Sequence, residues 1–275
     1  MMIDLHCHSH FSDGALSPHA LLSKAVDANL SMLALTDHDT ISGLQPLHDA
    51  ARGCDVRIID GIEISVRWKK YDIHILGLNI NRKNQTLKTL IDQQNERRIQ
   101  RAHQIGDRLM SCGVLDAYNK ACALAGHERV GRPHYAQVLI QEGIVSDMSM
   151  AFKRYLGSNK SAFVPTEWVD LDKAVATITE AGGAAAIAHP LKYNLTRTKL
   201  YALISAFKSA GGRALEVVSG NMTVFQINEL AGICNRFDLF SSTGSDYHND
   251  ASHVSLGQQR ALPVNCKPIW HEWTI

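Results

Sequence analysis

Histidine and acidic residues in this sequence recur in short pairs whose spacing suits metal binding. Asp4-Leu5-His6-Cys7-His8 places two imidazoles one residue apart, and Asp246-Tyr247-His248 repeats that spacing with a carboxylate and an imidazole. In a strand, residues i and i+2 point to the same face, so the side chains of each pair would converge. Similar residues lie in four further segments: Asp37-His38-Asp39, Asp60-Gly61-Ile62-Glu63, Asp72-Ile73-His74 and Ala188-His189-Pro190.

Together these segments predict a cluster of divalent cations. One His-x-His pair is a weak signal, but burying many imidazoles and carboxylates together without cations would be costly. The mixture of nitrogen and oxygen ligands suits Mn, Fe, Zn or Mg better than a thiolate zinc site. Such cations activate water and stabilise an in-line displacement at phosphorus. We therefore expect phosphoester hydrolysis, and we find no motif for a Ser or Cys nucleophile.

The elements that must position these groups alternate between strand-like and helical runs. Ser17 followed by Pro18 is a typical helix start, and Gly182-Gly183 is a typical helix stop. Strands are predicted at residues 2–7, 32–36, 56–64, 72–78, 184–188, 214–218 and 239–243, with helices at 17–29, 40–52, 170–181, 198–210 and 223–236. Parallel strands wrapped by helices follow, in an open sheet or a barrel, and the carboxyl ends of the strands would gather the metal-binding segments on one face.

Residues 84–157 interrupt this alternation, because they contain frequent helical runs and almost no strand-like ones. We predict an inserted helical subdomain there, between catalytic blocks at residues 1–83 and 158–275. Within it, Gly131-Arg132-Pro133-His134-Tyr135 begins a predicted helix. An Arg and a His at a helix N-terminus suit a phosphate, although a plain helix cap with a surface Arg is the alternative.

Composition limits the class of protein and its partners. With 45% hydrophobic residues, 275 residues are enough for one large core or a core with a smaller insert. Because the formal charge is only +1, we expect the protein to bind neither a membrane nor long duplex nucleic acid. The six cysteines are scattered, and no apolar run approaches the roughly 20 residues of a membrane span. We expect a cytoplasmic enzyme with reduced thiols; the sequence does not identify protein partners.

The metal-binding segments, with Phe11-Ser12-Asp13-Gly14, resemble in order the motifs of the PHP (polymerase and histidinol phosphatase) family along nearly the whole chain. The resemblance implies an α/β fold: a distorted (β/α)7 barrel with an inserted small helical subdomain. It also implies a trinuclear metal site, with Mn²⁺ the first choice of two or three cations. The implied ligands are His6, His8, Asp13, His38, Glu63, His74, His189, Asp246 and His248.

The resemblance also implies how these ligands are grouped. His6 and His8 would share one metal with Glu63 and Asp246, His74 and His189 would reach a second with Glu63, and Asp13, His38 and His248 would hold a third. Glu63 is the expected bridge between metals. Glu63, Asp246 and His248 are the predicted catalytic residues. The proton for the leaving group would come from His248, His134 or water.

The helical insert with its Gly-Arg-Pro-His segment resembles one branch of the family, that of ribonuclease AM and nucleoside 3′,5′-bisphosphate phosphatases. The resemblance implies that the insert covers the active site. It also implies removal of the 3′-phosphate from nucleoside 3′,5′-bisphosphates, such as adenosine 3′,5′-bisphosphate, and digestion of short 5′-phosphorylated RNA from its 5′ end. We predict that Arg132 and His134 bind the 5′-phosphate. Lys192 and Arg197 are further basic candidates, and the alternative for these two is that they belong to a solvent-exposed loop.

Alternatives from other classes remain open on the sequence. A histidinol phosphatase would use the same ligands, although the helical insert disfavours it. A catalytically silent PHP binding module would be expected to lack ligands, and a polymerase appendage would need a polymerase for which 275 residues leave no room. A zinc amidohydrolase is a further option, because hydrolytic metals also activate water toward C–N bonds.

Overall fold

The structure is a computed structural model that describes residues 2–251 and 254–273. Its strands are β1 (Met2–Asp4), β2 (Leu30–Leu35), β3 (Arg57–Trp68), β4 (Tyr71–Leu78), β5 (Val169–Asp170), β6 (Ala184–Ile187), β7 (Ala214–Ser219) and β8 (Phe240–Gly244). Its α-helices are α1 (Pro18–Asp27), α2 (Leu44–Ala50), α3 (Gln85–Ser111), α4 (Ala117–Ala125), α5 (Arg132–Gln141), α6 (Met148–Ala151), α7 (Leu171–Glu180), α8 (Arg197–Ser209) and α9 (Val224–Arg236).

The strands form a sheet that nearly closes into a barrel. Their order is β1-β2-β3-β4-β6-β7-β8, and β5 pairs with β3 outside this path. The ends of the sheet approach each other where the backbone N–H of Leu5 donates to the carbonyl oxygen of Thr243 at 3.0 Å and Cys7 forms an isolated parallel bridge with Tyr247. Helices pack around this sheet, so the predicted α/β barrel is confirmed.

One prediction about the strands is wrong: β4 is antiparallel to both of its neighbours, β3 and β6. Only Lys69 and Lys70 separate β3 from β4, and Lys69 takes a positive φ of 55° in this turn. A connection of two residues cannot contain the crossover that a parallel pair requires. His74 is the fourth of the eight residues of β4, and the reversed direction of β4 places its first half beside the carboxyl-terminal half of β3.

Two other boundaries differ from the sequence prediction. β1 ends at Asp4, so His6 and His8 lie beyond the strand, in a segment that continues to pair with the chain after β8. β3 continues to Trp68, so Glu63 lies inside the strand and not at its end. Its side chain still points into the barrel. Residues four apart in a strand lie on the same face, and Ile59, four residues earlier, packs in one apolar cluster with residues of β1, β2, β4, β6 and β7.

The chain divides into two compact units, Met1–Ile91 with Trp168–Ile275 and Asp92–Glu167. Both limits of the second unit lie further along the chain than the predicted 84–157. Side chains explain the difference: Leu87 and Leu90 of α3 belong to the barrel core, whereas Ala162 and Val164 belong to the core of the helical unit. Among the described residues, none of the helices is long and apolar enough to span a membrane.

Candidate metal centre

Six segments bring imidazoles and carboxylates together in the barrel interior. The side chains of His6, His8 and Glu63 are completely buried, and that of Asp246 is 7% exposed. Potential ligand atoms lie within 4.8 Å of one another in four overlapping groups: His8, Asp13, His38 and His248; His6, Glu63 and His189; His6, His8 and Asp246; and His38, Glu63 and His74. All nine residues expected from the sequence lie in these groups.

His6 and His8 face two carboxylates at the centre of the cluster. Their Nε2 atoms are 3.2 Å apart, and each is 3.3 Å from Oδ1 of Asp246. Oε2 of Glu63 lies 3.4 Å from the first imidazole and 3.3 Å from the second. Four atoms that could ligate a metal, two imidazole nitrogens and two carboxylate oxygens, therefore converge on one small volume.

The two oxygens of Glu63 face different imidazoles. Oε1 lies 2.9 Å from Nδ1 of His74 and 2.9 Å from Nε2 of His189. Oε2 faces His6 and His8 and lies 3.0 Å from Nδ1 of His38. This division brings Glu63 into contact with residues of all three expected groups.

The third group lies at the edge of the cluster. Oδ1 of Asp13 is 3.3 Å from Nε2 of His248, and Oδ2 is 3.7 Å from Nε2 of His38. His8 also lies within reach of this group, which the expected grouping did not include. The turn that carries Asp13 is closed by the backbone N–H groups of Ser12 and Gly14, which both donate to the carbonyl oxygen of Ser9 at 3.0 Å.

The residues present fit bound cations. Among the described residues, Oε2 of Glu63 receives no hydrogen bond, although it is completely buried and three imidazole nitrogens lie within 3.4 Å of it. A buried carboxylate oxygen rarely lacks a partner, and a cation would satisfy both this oxygen and the facing nitrogen atoms. The ligand types are those of Mn, Fe or Zn sites.

A set of buried carboxylates holds the segments that carry these groups. Glu216, inside β7, accepts hydrogen bonds from Nδ1 of His6 at 2.9 Å and from the backbone N–H of His189 at 2.6 Å. Asp37 accepts bonds from the backbone N–H and hydroxyl of Ser9 at 2.7 and 2.6 Å. A carboxylate on Nδ1 fixes the imidazole so that Nε2 points at the metal centre.

Electrostatics prepare most of the cluster for ligation without any cation. Burial raises the pKa of Glu63, but His38 and His74 outweigh it and hold that pKa well below its usual range. Burial and the charge of His248 lower the pKa of His8 to about 3. Burial lowers the pKa of His248, but Asp13 outweighs it and raises the pKa to about 9. The carboxylate of Glu63 and the neutral imidazole of His8 are thus ready to bind a cation, whereas His248 must first lose a proton.

A cavity of about 410 Å³ opens beside the cluster, and its wall includes His189, Lys192, Asp246 and His248. Its volume lies within the range of about 300–1,000 Å³ that is typical of ligand pockets. The ammonium group of Lys192 contacts the carboxylate of Asp246, although 57% of the Lys192 side chain is exposed. The structure therefore provides a positive charge at the opening of the metal centre.

The other predicted substrate residues lie elsewhere in the fold. Arg132 and His134 occupy the first turn of α5 in the helical unit. Nδ1 of the buried His134 accepts a hydrogen bond from the backbone N–H of Gly131 at 3.0 Å, and the guanidinium of Arg132 lies 5.6 Å from the centre of the Phe152 ring. Arg197, exposed in the first turn of α8, donates from Nε to the hydroxyl of Tyr201 at 3.0 Å. Binding of phosphate by these three residues stays a prediction.

The sequence predictions omitted Glu216 and Asp37 from the site. Glu216 had a readable signal, because it is the single charged residue in the apolar strand segment 214–218. An acid in a strand that is apolar on both faces is rarely left unpaired. Asp37 carried a weaker signal, since it precedes a predicted ligand in a segment already assigned to the metal centre.

Comparison with known proteins agrees with the fold. Residues 4–164 match the PHP domain. The chain belongs to the PHP domain family, as the motifs predicted.

Individual relatives match almost the whole chain. A 5′-3′ exoribonuclease of Haemophilus influenzae is 44% identical over 270 residues, which cover 98% of each chain. A 3′,5′-nucleoside bisphosphate phosphatase of Chromobacterium violaceum is 37% identical and covers 98% of this chain and 95% of its own. A solved structure of an amidohydrolase from Chromobacterium violaceum, with bound sulfate and no metal, superposes with a TM-score of 0.95 at 37% identity, over 99% of this chain and 95% of that one.

Proposed function

We propose that this chain is a metal-dependent phosphoesterase that hydrolyses the 3′-phosphate ester of nucleoside 3′,5′-bisphosphates and the corresponding ester at the 5′ end of short 5′-phosphorylated oligoribonucleotides. One observation carries the proposal: nine imidazole and carboxylate side chains converge beside a cavity of about 410 Å³. Two relatives that match nearly the whole chain are named for these two reactions, which supports the choice of substrate.

The cofactor we propose is a set of two or three divalent cations, Mn²⁺ before Fe, Zn or Mg, bound by the nine residues in the grouping expected from the sequence. When bound, such cations supply an activated water and neutralise charge that develops at phosphorus. The two differently directed oxygens of Glu63 support its role as the bridge. Glu216 holds His6 and His189 in the orientation that this arrangement needs.

The roles of the remaining residues follow from their contacts. Nδ1 of His248 lies 2.9 Å from the carbonyl oxygen of Asp246, so it donates there and presents Nε2 to the cluster. This orientation favours His248 as a ligand over a proton donor, because an imidazole bound to a cation through Nε2 has no proton to release from that atom. Water or His134 would then protonate the leaving 3′ oxygen. Lys192 would attract the anionic ester to the cavity.

Recognition of the 5′-phosphate is assigned to Arg132 and His134, with Arg197 as a further basic candidate. The fork of an Arg and the first N–H groups of a helix suit a phosphate. Such recognition would explain how one mechanism can act on both substrates, because a bisphosphate and a short RNA both have a 5′-phosphate and a phosphate ester on the 3′ oxygen. Small nucleotides and short single strands also suit a chain with a formal charge of only +1.

Product analysis tests the proposed function. With Mn²⁺ present, the protein is expected to release inorganic phosphate and AMP from adenosine 3′,5′-bisphosphate, and 5′-mononucleotides from a 5′-phosphorylated trinucleotide. Histidinol phosphate, assayed in parallel, should be a poorer substrate; faster turnover of histidinol phosphate would replace our assignment with that alternative.

A second candidate function is hydrolysis of an amide, because the Chromobacterium violaceum protein of known structure is described as an amidohydrolase. Release of a free amine from N-acetylated test substrates, without phosphate release from the bisphosphate, would favour it.

The proposed location is the cytoplasm, and the free state of all six cysteines is compatible with a reducing compartment.

A further inference from the structure

A second cavity adjoins the one beside the metal centre. Its volume is about 510 Å³, and its wall shares Gly220, Asn221, Met222 and Val254 with the first cavity. Because they share these four wall residues, the two cavities adjoin each other, and we call them together the groove. Either part has a volume in the range of about 300–1,000 Å³ that is typical of ligand pockets.

The far part of this groove is polar and carries a cation. Its wall includes Ser255, Gln258, Gln259 and Arg260, and none of its described lining residues is acidic. Nε of Arg260 donates to the carbonyl oxygen of Met222 at 3.1 Å. Since Met222 belongs to the wall of both cavities, this bond holds the guanidinium beside the wall that they share. Lys192 supplies a second cationic group in the first cavity, where it contacts the carboxylate of Asp246.

An exposed aromatic side chain belongs to the helix turn that borders the first cavity, although it is not itself part of the cavity wall. Phe225 is 78% exposed and the neighbouring Val224 is 56% exposed. Both belong to the first turn of α9, where the Thr223 hydroxyl accepts from the backbone N–H of Gln226 at 3.2 Å and the Gln226 amide oxygen accepts from the backbone N–H of Thr223 at 2.9 Å. Gln226 lines the cavity, so Phe225 stands about 100° around the helix from the cavity wall.

We propose that this groove binds the nucleotide that follows the scissile ester in a single-stranded oligoribonucleotide. Arg260 would bind the next phosphate along the strand, and Phe225 would stack on a base. Exposed aromatic rings beside cationic grooves are the usual means of binding single strands without sequence preference. The inference rests on the proposed function and adds a binding site for the part of the RNA that lies downstream of the scissile ester.

The proposed reaction explains why such a groove is needed. Water adds to phosphorus, the bond from phosphorus to the 3′ oxygen breaks, and the 3′ oxygen takes a proton. The phosphate therefore stays on the downstream strand, which must leave the metal centre by a path of its own. A bisphosphate has no downstream nucleotide and would not use Phe225 or Arg260.

Separate substitution of the two residues tests the inference. We would measure kcat/KM with Mn²⁺ for adenosine 3′,5′-bisphosphate and for a 5′-phosphorylated pentaribonucleotide. Phe225→Ala is expected to lower the value for the pentamer by about fivefold or more through the lost stacking, with less than a twofold change for the bisphosphate. Phe225→Trp should keep wild-type turnover of both substrates. Val264→Ala is the matched control, because Val264 is also an exposed apolar residue but belongs to the C-terminal segment and not to the first turn of α9, which borders the first cavity through Gln226.

Arg260→Ala should also act on the pentamer alone, and its salt dependence gives an independent measurement. Loss of one phosphate contact should reduce the slope of log(kcat/KM) against log salt by about 0.7 for a single strand. Equal losses for both substrates, or no loss from either substitution, would overturn the inference. Wild-type hydrolysis of the bisphosphate but not of the pentamer would overturn it and would leave intact only the bisphosphate part of the proposed function. Hydrolysis of neither substrate would defeat the proposed function itself.

Discussion

The metal centre and the first turn of α5 both combine histidine with charged side chains, but those side chains contact different partners. In the barrel, His6 and His8 face carboxylates and each other. In the helical unit, His134 accepts a hydrogen bond from the backbone N–H of Gly131, and Arg132 lies over the Phe152 ring. The buried imidazoles and carboxylates of the metal centre thus indicate a cation, because their burial together would otherwise be costly. The residues at the start of α5 also make contacts within the helical unit, so their presence does not by itself indicate a ligand.

The largest effect should come from Glu63, which contacts residues of all three ligand groups. Glu63→Ala is expected to lower phosphate release from adenosine 3′,5′-bisphosphate by about a thousandfold or more, because metal-dependent charge stabilisation worth several kcal/mol is lost. Initial rates at saturating Mn²⁺ measure this loss. Glu180→Ala, an exposed acid on the same unit, should retain wild-type turnover. Normal turnover by the Glu63→Ala protein would show that the metal centre is not needed for phosphate release.

A smaller effect is expected from Glu216, which supports the ligands without belonging to the expected set. Glu216→Gln should weaken Mn²⁺ binding by about 10- to 100-fold, because the charged partner of Nδ1 of His6 is lost. Calorimetric titration of the metal-free protein measures the affinity directly. Asp60→Asn is a suitable control, since Asp60 is a partly buried acid that pairs with His48. Unchanged affinity in the Glu216 variant would limit the metal centre to the nine predicted residues.

The smallest effect concerns the helical unit. Arg132→Ala should raise KM for adenosine 3′,5′-bisphosphate by about tenfold, as expected for one lost charge-assisted hydrogen bond, with little effect on adenosine 3′-monophosphate. Arg154→Ala is the matched control, because its guanidinium also lies over an aromatic ring of this unit, 5.5 Å from that of Tyr155. If Arg132→Ala left KM for the 5′-phosphorylated substrate unchanged, α5 would have no part in phosphate recognition.

The difference between the two regions also decides how far the sequence could predict them. His6, His8 and Asp246 were predictable because alternation along extended chain fixes where i and i+2 point, and because imidazole and carboxylate together have few purposes in a buried interior. The strand pattern left an open sheet and a barrel as alternatives, and the resemblance of the ordered motifs to the PHP family implied the barrel. Arg132 and His134 are residues that helix starts and surfaces commonly contain, so their types alone cannot separate a cap from a phosphate site.

Other features of the fold had signals that the sequence interpretation passed over. The seven residues between the predicted strands 56–64 and 72–78 are too few for a parallel crossover, so the reversal of β4 was foreseeable. Glu216 was visible as an acid in an apolar strand, but its partners were not, because His6 lies 210 residues earlier in the chain. The contact of Lys192 with Asp246 is of the same kind, since two loops that are remote in sequence meet only in the closed barrel.

The central claim is that the buried cluster is a functional metal centre, and counting bound cations tests it most directly. The protein would be stripped with a chelator, reconstituted with Mn²⁺, freed of excess metal and measured by inductively coupled plasma mass spectrometry beside Glu63→Ala. The account predicts two or three cations per wild-type chain, fewer in the variant, and phosphate release that returns with the metal. Less than one cation per wild-type chain after reconstitution would contradict it.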